Sequence, residues 1–127
     1  LTLNREDNNA TFAGAITASG NITTTGDVIA FSSSDERLKT NLIKIDSALN
    51  KVTQISGYHF EWKDMDEAPH QGKDIGVIAQ EIEKVLPEIV SERDTGYKAV
   101  NYQKLTALLI EAVKELKEEI DELKGNK

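Results

Sequence analysis

Three observations predict an α+β fold for this chain of 127 residues. Ile43, Ile45, Ala48, Leu49, Val52 and Ile55 recur at helical spacing, and so do Leu109, Val113, Leu116, Ile120 and Leu123. The stretch "YHFEW" (58–62) alternates instead and carries three aromatics, the pattern of a strand. "EIVSERDTGYKAVNY" (88–102) reads as a hairpin, two short strands about a turn at Asp94-Thr95-Gly96. The expected architecture is a small helix-and-hairpin domain with a long C-terminal helix, preceded by a β-rich segment.

The first helix is placed at about 46–55, with Asp46 as its N-cap and Gly57 just past its end. A polar loop, 63–73, follows the aromatic strand. "DIGVIAQEIEKVLP" (74–87) starts extended and turns helical, with Ile78, Ile82, Val85 and Leu86 on one face. Pro87 ends that helix because it has no N–H to continue it. Gly76 is expected to permit close packing or an unusual turn. Gln80, polar within an apolar stretch, is expected to bond backbone in the core or at a subunit contact, and His59 to be a half-buried packing residue. Everything after Tyr102 is predicted helical to Lys124.

That last helix carries a heptad seam, with Val113 and Ile120 at a and Leu109, Leu116 and Leu123 at d. Glu119 then falls at g and Lys124 at the following e, the pairing expected of parallel neighbours. The pattern predicts a parallel oligomer, and β-branched a with Leu at d leans towards two strands.

Residues 1–33 differ in character. They are rich in Thr, Ser, Gly and Ala, with isolated apolar residues at Phe12, Ile16, Ile22, Val28, Ile29 and Phe31. "GAITASG" and "GNITTTG" echo each other along the chain. Thr and Ile favour strands and the glycines punctuate turns. One chain of this composition cannot bury enough apolar surface to offset its own ordering entropy. The segment is therefore read as the end of a β-fibre shaft, folding only when identical chains wind together.

Composition excludes several functions. A net charge of −7, with no basic patch free of acidic neighbours, argues against nucleic-acid and anionic-membrane surfaces. The absence of cysteine excludes disulfides, thiolate metal sites and a cysteine nucleophile. No apolar run approaches a membrane span, which predicts a soluble chain. The two histidines have no metal-site spacing, so no metal or cofactor is expected.

"SSSDERLK" (32–39) marks the change of character and sets a serine and a lysine five residues apart. A lysine activates a serine hydroxyl only as the neutral amine, which needs burial or a cationic neighbour. Arg37 would disfavour the ammonium of Lys39; Asp35 and Glu36 would favour it. In a helix, Asp35 and Lys39 would stand at i, i+4 and pair, with Ser34 as the N-cap. From the residues alone, that structural arrangement and a catalytic one both remain open.

"SDERLKTNLIKID", "YHFEWK", "IGVIAQEIEKVLPEIV" and "YKAVNYQKLTALLIEAVKELK" together resemble the C-terminal intramolecular chaperone domain of bacteriophage tail spikes, tail fibres and neck appendages, an endosialidase-type self-cleaving domain also classed as a serine peptidase. The resemblance covers 34–127 and leaves 1–33 as the shaft. It implies a homotrimer rather than a dimer. The trimer would register the upstream shaft strands into a triple-stranded β-helix in the host cytoplasm during virion assembly. The domain would then be released by one self-cleavage, leaving the shaft in the virion. The family's serine and lysine fall on Ser34 and Lys39, with Asp35 as a secondary participant. The cut lies at the Ser34-Asp35 junction or at Ser33-Ser34: the Ser34 hydroxyl reaches the Ser33 carbonyl through a five-membered ring, whereas its own carbonyl would require a strained four-membered one. The alternative function is a permanent trimerisation cap that never cuts.

Overall fold

The computed structural model describes residues 2–3 and 6–125. The chain divides into two units, 1–40 and 41–127.

In the first unit, β1 (Thr2–Leu3) pairs antiparallel with β2 (Ala10–Thr11), Thr2 opposite Thr11 and Leu3 opposite Ala10. Asn8 turns the chain between them at φ +58°. From 12 to 35 there is neither helix nor strand, and Phe12, Ile16, Ile22, Val28, Ile29 and Phe31 are all exposed. A single Thr- and Gly-rich chain has no apolar surface of its own against which to lay a strand. The unit ends in a 3-10 turn, Glu36–Leu38.

The second unit holds α1 (Ala48–Val52), β3 (Tyr58–Glu61), β4 (Lys73–Gly76), α2 (Ala79–Val85), a 3-10 turn at Pro87–Ile89, β5 (Val90–Glu92), β6 (Lys98–Val100), a second 3-10 turn at Tyr102–Lys104 and α3 (Leu105–Lys124). It is an α+β unit of helices and two-stranded antiparallel hairpins. Its core is Ala48, Ile82, Val85, Leu86, Ile89, Leu108 and Ala112, ringed by half-buried Ile45, Leu49, Val52, Ile55, Val77, Val90, Val100 and Leu105.

α1 is shorter than the expected 46–55, and Asp46 is not its cap. Ser47 occupies the N-cap position in the left-handed region, φ +49°, and makes no side-chain cap bond. The free N–H groups are met from α3: the Glu115 carboxylate accepts from Ala48 N at 2.7 Å and from Leu49 N at 3.4 Å. Asp46 instead accepts from Lys51 Nζ. At the other end, Gln54 N and Ile55 N donate three residues back, to Lys51 O and Val52 O, so the helix tightens and stops.

β3 pairs with β4 in the register Tyr58–Gly76, His59–Ile75, Phe60–Asp74 and Glu61–Lys73. Period-two alternation sets Tyr58, Phe60 and Trp62 on one face and His59 on the other, where it is exposed rather than half-buried. Phe60 and Trp62 meet edge to face at 5.0 Å. Trp62 N donates to Gly72 O across the loop mouth, and the indole N–H donates to Asp74 Oδ2 at 3.0 Å. The Tyr58 hydroxyl donates to Glu81 at 2.6 Å, and that bond raises its pKa. Gly76 permits close packing, as expected: a Cβ there would lie 2.6 Å from Tyr102 Oη, which accepts from Val77 N at 3.2 Å.

Ile82, Val85 and Leu86 share the buried face of the α2 segment, but Ile78 precedes the helix in extended conformation and is 40% exposed. Gln80 is exposed and not in the core. Pro87 opens a 3-10 turn at its first position, where no N–H is needed. β5 and β6 pair in the register Val90–Val100, Ser91–Ala99 and Glu92–Lys98. Their turn falls at 94–96: Arg93 N donates to Tyr97 O, Gly96 N donates to Arg93 O, and Gly96 takes φ +86°, which a glycine tolerates.

α3 has two faces with different partners. Leu105, Leu108, Ala112 and Glu115 turn towards α1 and the core. The heptad residues Leu109, Val113, Leu116, Ile120 and Leu123 are between 41% and 88% exposed, so among the described residues nothing covers the seam. Among the described residues, no helix is long and apolar enough to cross a membrane.

Candidate functional site at the Ser34–Lys39 turn

The site is built by a local turn. Asp35, extended at φ −66° and ψ 131°, caps the 3-10 turn: its Oδ1 accepts from Arg37 N at 2.8 Å. Leu38 N donates to Asp35 O and Lys39 N to Glu36 O, each at 3.1 Å. The N-cap is therefore Asp35, not Ser34, because the Asp carboxylate lies at the right distance to accept from the N–H two residues on. Arg37 closes a fork on the same carboxylate, Nε to Oδ1 at 3.1 Å and Nη2 to Oδ2 at 2.9 Å. This guanidinium bond, with the backbone N–H second, holds the Asp35 pKa below the ordinary carboxylate value, and the carboxylate raises that of Arg37 in return.

With the carboxylate occupied, the i, i+4 pairing of Asp35 and Lys39 is not formed. Lys39 reaches back past it, and its Nζ lies 2.7 Å from Ser34 Oγ. The two residues on which the resemblance sets the family's serine and lysine are thus in hydrogen-bond contact, the distance at which an amine can exchange a proton with a hydroxyl. Every side chain from 31 to 40 is exposed in the single chain. The turn lies in the unit 1–40, since its hydrogen bonds all close within 34–39.

Comparison with known proteins bears on this segment directly. Residues 34–91 match the family described as chaperone of endosialidase. The long tail fiber proteins Gp37 of Enterobacteria phages M1 and Ox2 are each 36% identical over 96 residues, covering 72% of this chain and 38% of theirs. The corresponding protein of Enterobacteria phage K3 is 37% identical over 96 residues, covering 72% of this chain and 8% of its own length. The chain carries a chaperone-of-endosialidase domain of phage fibre proteins. It spans well under half of the curated relatives it matches. The family's designation places it among peptidases.

The chaperone match opens on Ser34 and runs through the 3-10 turn, α1, the β3–β4 hairpin and α2 into β5; α3 lies beyond it. Two contributors were missed in the sequence. Arg37 was weighed as a neighbour of Lys39, but it binds Asp35; an Asp-x-Arg spacing at the head of a turn is the signal that finds it. Glu115 is one of many charges along the last helix, yet it caps α1 across the unit, and nothing local in the sequence marks it.

Proposed function

We propose that this chain is an intramolecular chaperone that assembles as a homotrimer, registers three fibre shaft strands, and then frees itself by a single cut beside Ser34. The contact of Lys39 Nζ with Ser34 Oγ at 2.7 Å carries the reading. The exposed heptad seam of α3 supports self-association, since an apolar stripe of this kind is covered when helices of identical chains meet. The exposed apolar residues of 12–31 support a shaft that folds only alongside its copies.

In the cut, neutral Lys39 takes the proton of the Ser34 hydroxyl as Oγ attacks the Ser33 carbonyl carbon. The C–N bond then breaks and the Ser34 nitrogen receives the proton. The resulting ester between Ser33 and Ser34 Oγ is hydrolysed by water. If the bond after Ser34 is the one cut, a water held by the Ser34 hydroxyl and deprotonated by the same amine attacks the Ser34 carbonyl; the C–N bond to Asp35 breaks and the Asp35 nitrogen receives the proton. The side chain of Asp35 is a secondary participant, held by Arg37. Assembly proceeds in the host cytoplasm with the chain's own shaft as its partner; neither nucleic acid nor membrane takes part.

A permanent cap is the second reading, and the exposure of Lys39 favours it: if assembly leaves the amine solvated, the burial that a lysine base needs is missing and no cut follows. Sedimentation of the purified chain, followed by denaturing electrophoresis of the same sample, separates the two. A trimer whose chains run as two fragments supports the self-cleaving chaperone. A trimer of intact chains after days supports the cap, and a monomer contradicts both.

A further inference from the structure

The Ser34–Lys39 contact depends on a competition that its immediate surroundings decide. Asp35 stands next to Ser34 and four residues before Lys39, so its carboxylate is an anionic alternative to the Ser34 hydroxyl within the same short turn. An anionic oxygen is a stronger partner for an ammonium than a neutral hydroxyl is. Yet Lys39 Nζ rests on Ser34 Oγ, and both oxygens of Asp35 are taken by Arg37, one by Nε and the backbone N–H, the other by Nη2. We propose that Arg37 is a positioning residue for the Ser34–Lys39 pair: its fork on Asp35 keeps that carboxylate from drawing Lys39 off the serine hydroxyl. The inference rests on the catalytic reading of Ser34 and Lys39 given above.

The backbone bond of Arg37 N to Asp35 Oδ1 starts the 3-10 turn, and that turn brings Lys39 back to face Ser34. The side-chain fork acts on the carboxylate itself: with both oxygens bound to the guanidinium, they compete less well with the Ser34 hydroxyl for Lys39. The charged groups of the turn are Asp35, Glu36, Arg37 and Lys39, and Glu36 has no part in the fork. The fork's exposure limits what it adds to folding stability, as for any surface ion pair. Its effect is on the partner choice of Lys39.

The test is the rate of self-cleavage, read by denaturing electrophoresis, for wild type, Arg37→Ala, Arg37→Lys and Arg37→Ala combined with Asp35→Asn, each matched for oligomeric state by sedimentation. Arg37→Ala frees the carboxylate to compete for Lys39, so its rate falls about tenfold. Arg37→Lys keeps a cation on Asp35 and recovers part of the rate. Asparagine at 35 keeps an acceptor for the turn but carries no charge, so the double variant cuts faster than Arg37→Ala. A merely structural Arg37 would show no such rescue. Unchanged cleavage in Arg37→Ala, or a double variant as slow as the single, overturns the inference while the dyad stands. Ser34→Ala in parallel tests the dyad itself: cutting that survives the loss of the hydroxyl overturns the reading and the inference together, as does a wild type that never cuts.

Discussion

Gly76→Ala isolates a single steric contact. Gly76 is not among the glycines with positive φ, so alanine can adopt its backbone and any cost comes from the added methyl. That methyl would lie 2.6 Å from Tyr102 Oη, with Phe60 Cε1 at 3.5 Å and Tyr102 Cζ at 3.7 Å. Only the hydroxyl is closer than ordinary van der Waals contact. Forcing such a contact apart costs about 1–3 kcal/mol, lessened by about 0.4–1 kcal/mol because alanine restricts the unfolded chain. The net loss is about 1–2 kcal/mol, or several degrees in Tm at roughly 4–8 °C per kcal/mol for a domain of this size. Tyr102→Phe alone removes the acceptor of Val77 N–H, a bond of 3.2 Å, and costs about 0.5–1.5 kcal/mol. With phenylalanine at 102 the clash is gone, so adding alanine at 76 becomes neutral or slightly stabilising. Denaturant unfolding of the four chains at one concentration completes the cycle, the concentration being fixed because an oligomer's stability depends on it. If Gly76→Ala costs the same with tyrosine and with phenylalanine at 102, the close approach of Tyr102 is not why glycine stands there.

Three further predictions follow from other contacts. Glu115→Ala removes the cap on Ala48 N and Leu49 N and lowers stability by about 1–2 kcal/mol, while Glu115→Gln, which keeps an acceptor, costs less; equal losses in the two variants would mean that the cap is not the source. Asp74 has its pKa lowered by the Ile75 N–H first and the Trp62 indole N–H second, so its contribution is complete above the ordinary carboxylate range of about 4 and is lost only as pH falls through the depressed value. The fluorescence of Trp62, the chain's one tryptophan, therefore changes below that range, and a midpoint at or above it would contradict the assignment. Leu116→Glu places a charge on the exposed seam without touching the α1-facing residues Leu108 and Ala112. It should shift the sedimenting species towards monomer with helix content kept, and an unchanged oligomer would remove the seam from the interface.

What could be read from the sequence was local. α3 was legible because its apolar spacing persists over many turns, and β5–β6 because Gly96 supplies the left-handed residue its turn requires. The partner of "YHFEW" was not legible: "KDIG" is short and mostly polar, and the loop between them has no tight-turn signal. α1 was drawn too long because Asp46 reads as an N-cap and Ile55 fits helical spacing. Ile55 packs on the core from beyond the helix, while the start of the helix is met by Glu115, distant in sequence. At the site, the residues alone left Ser34 and Lys39 open between a structural and a catalytic role and the family resemblance singled them out, while an α-helical reading put Asp35 on Lys39. The 3-10 turn and the Arg37 fork reverse that, and both arise from the two-residue reach of an aspartate to the following N–H groups.

The central claim is that Ser34 and Lys39 cut this chain, and intact mass spectrometry tests it most directly. Purified wild type is incubated beside Ser34→Ala and Lys39→Ala, all folded and oligomeric, and each sample is weighed under denaturing conditions. An upstream fragment ending at Ser33 or Ser34 is expected in the wild type, and uncut chains in both variants. An intact wild type in a folded trimer, or a cut that persists without the hydroxyl or the amine, would contradict it.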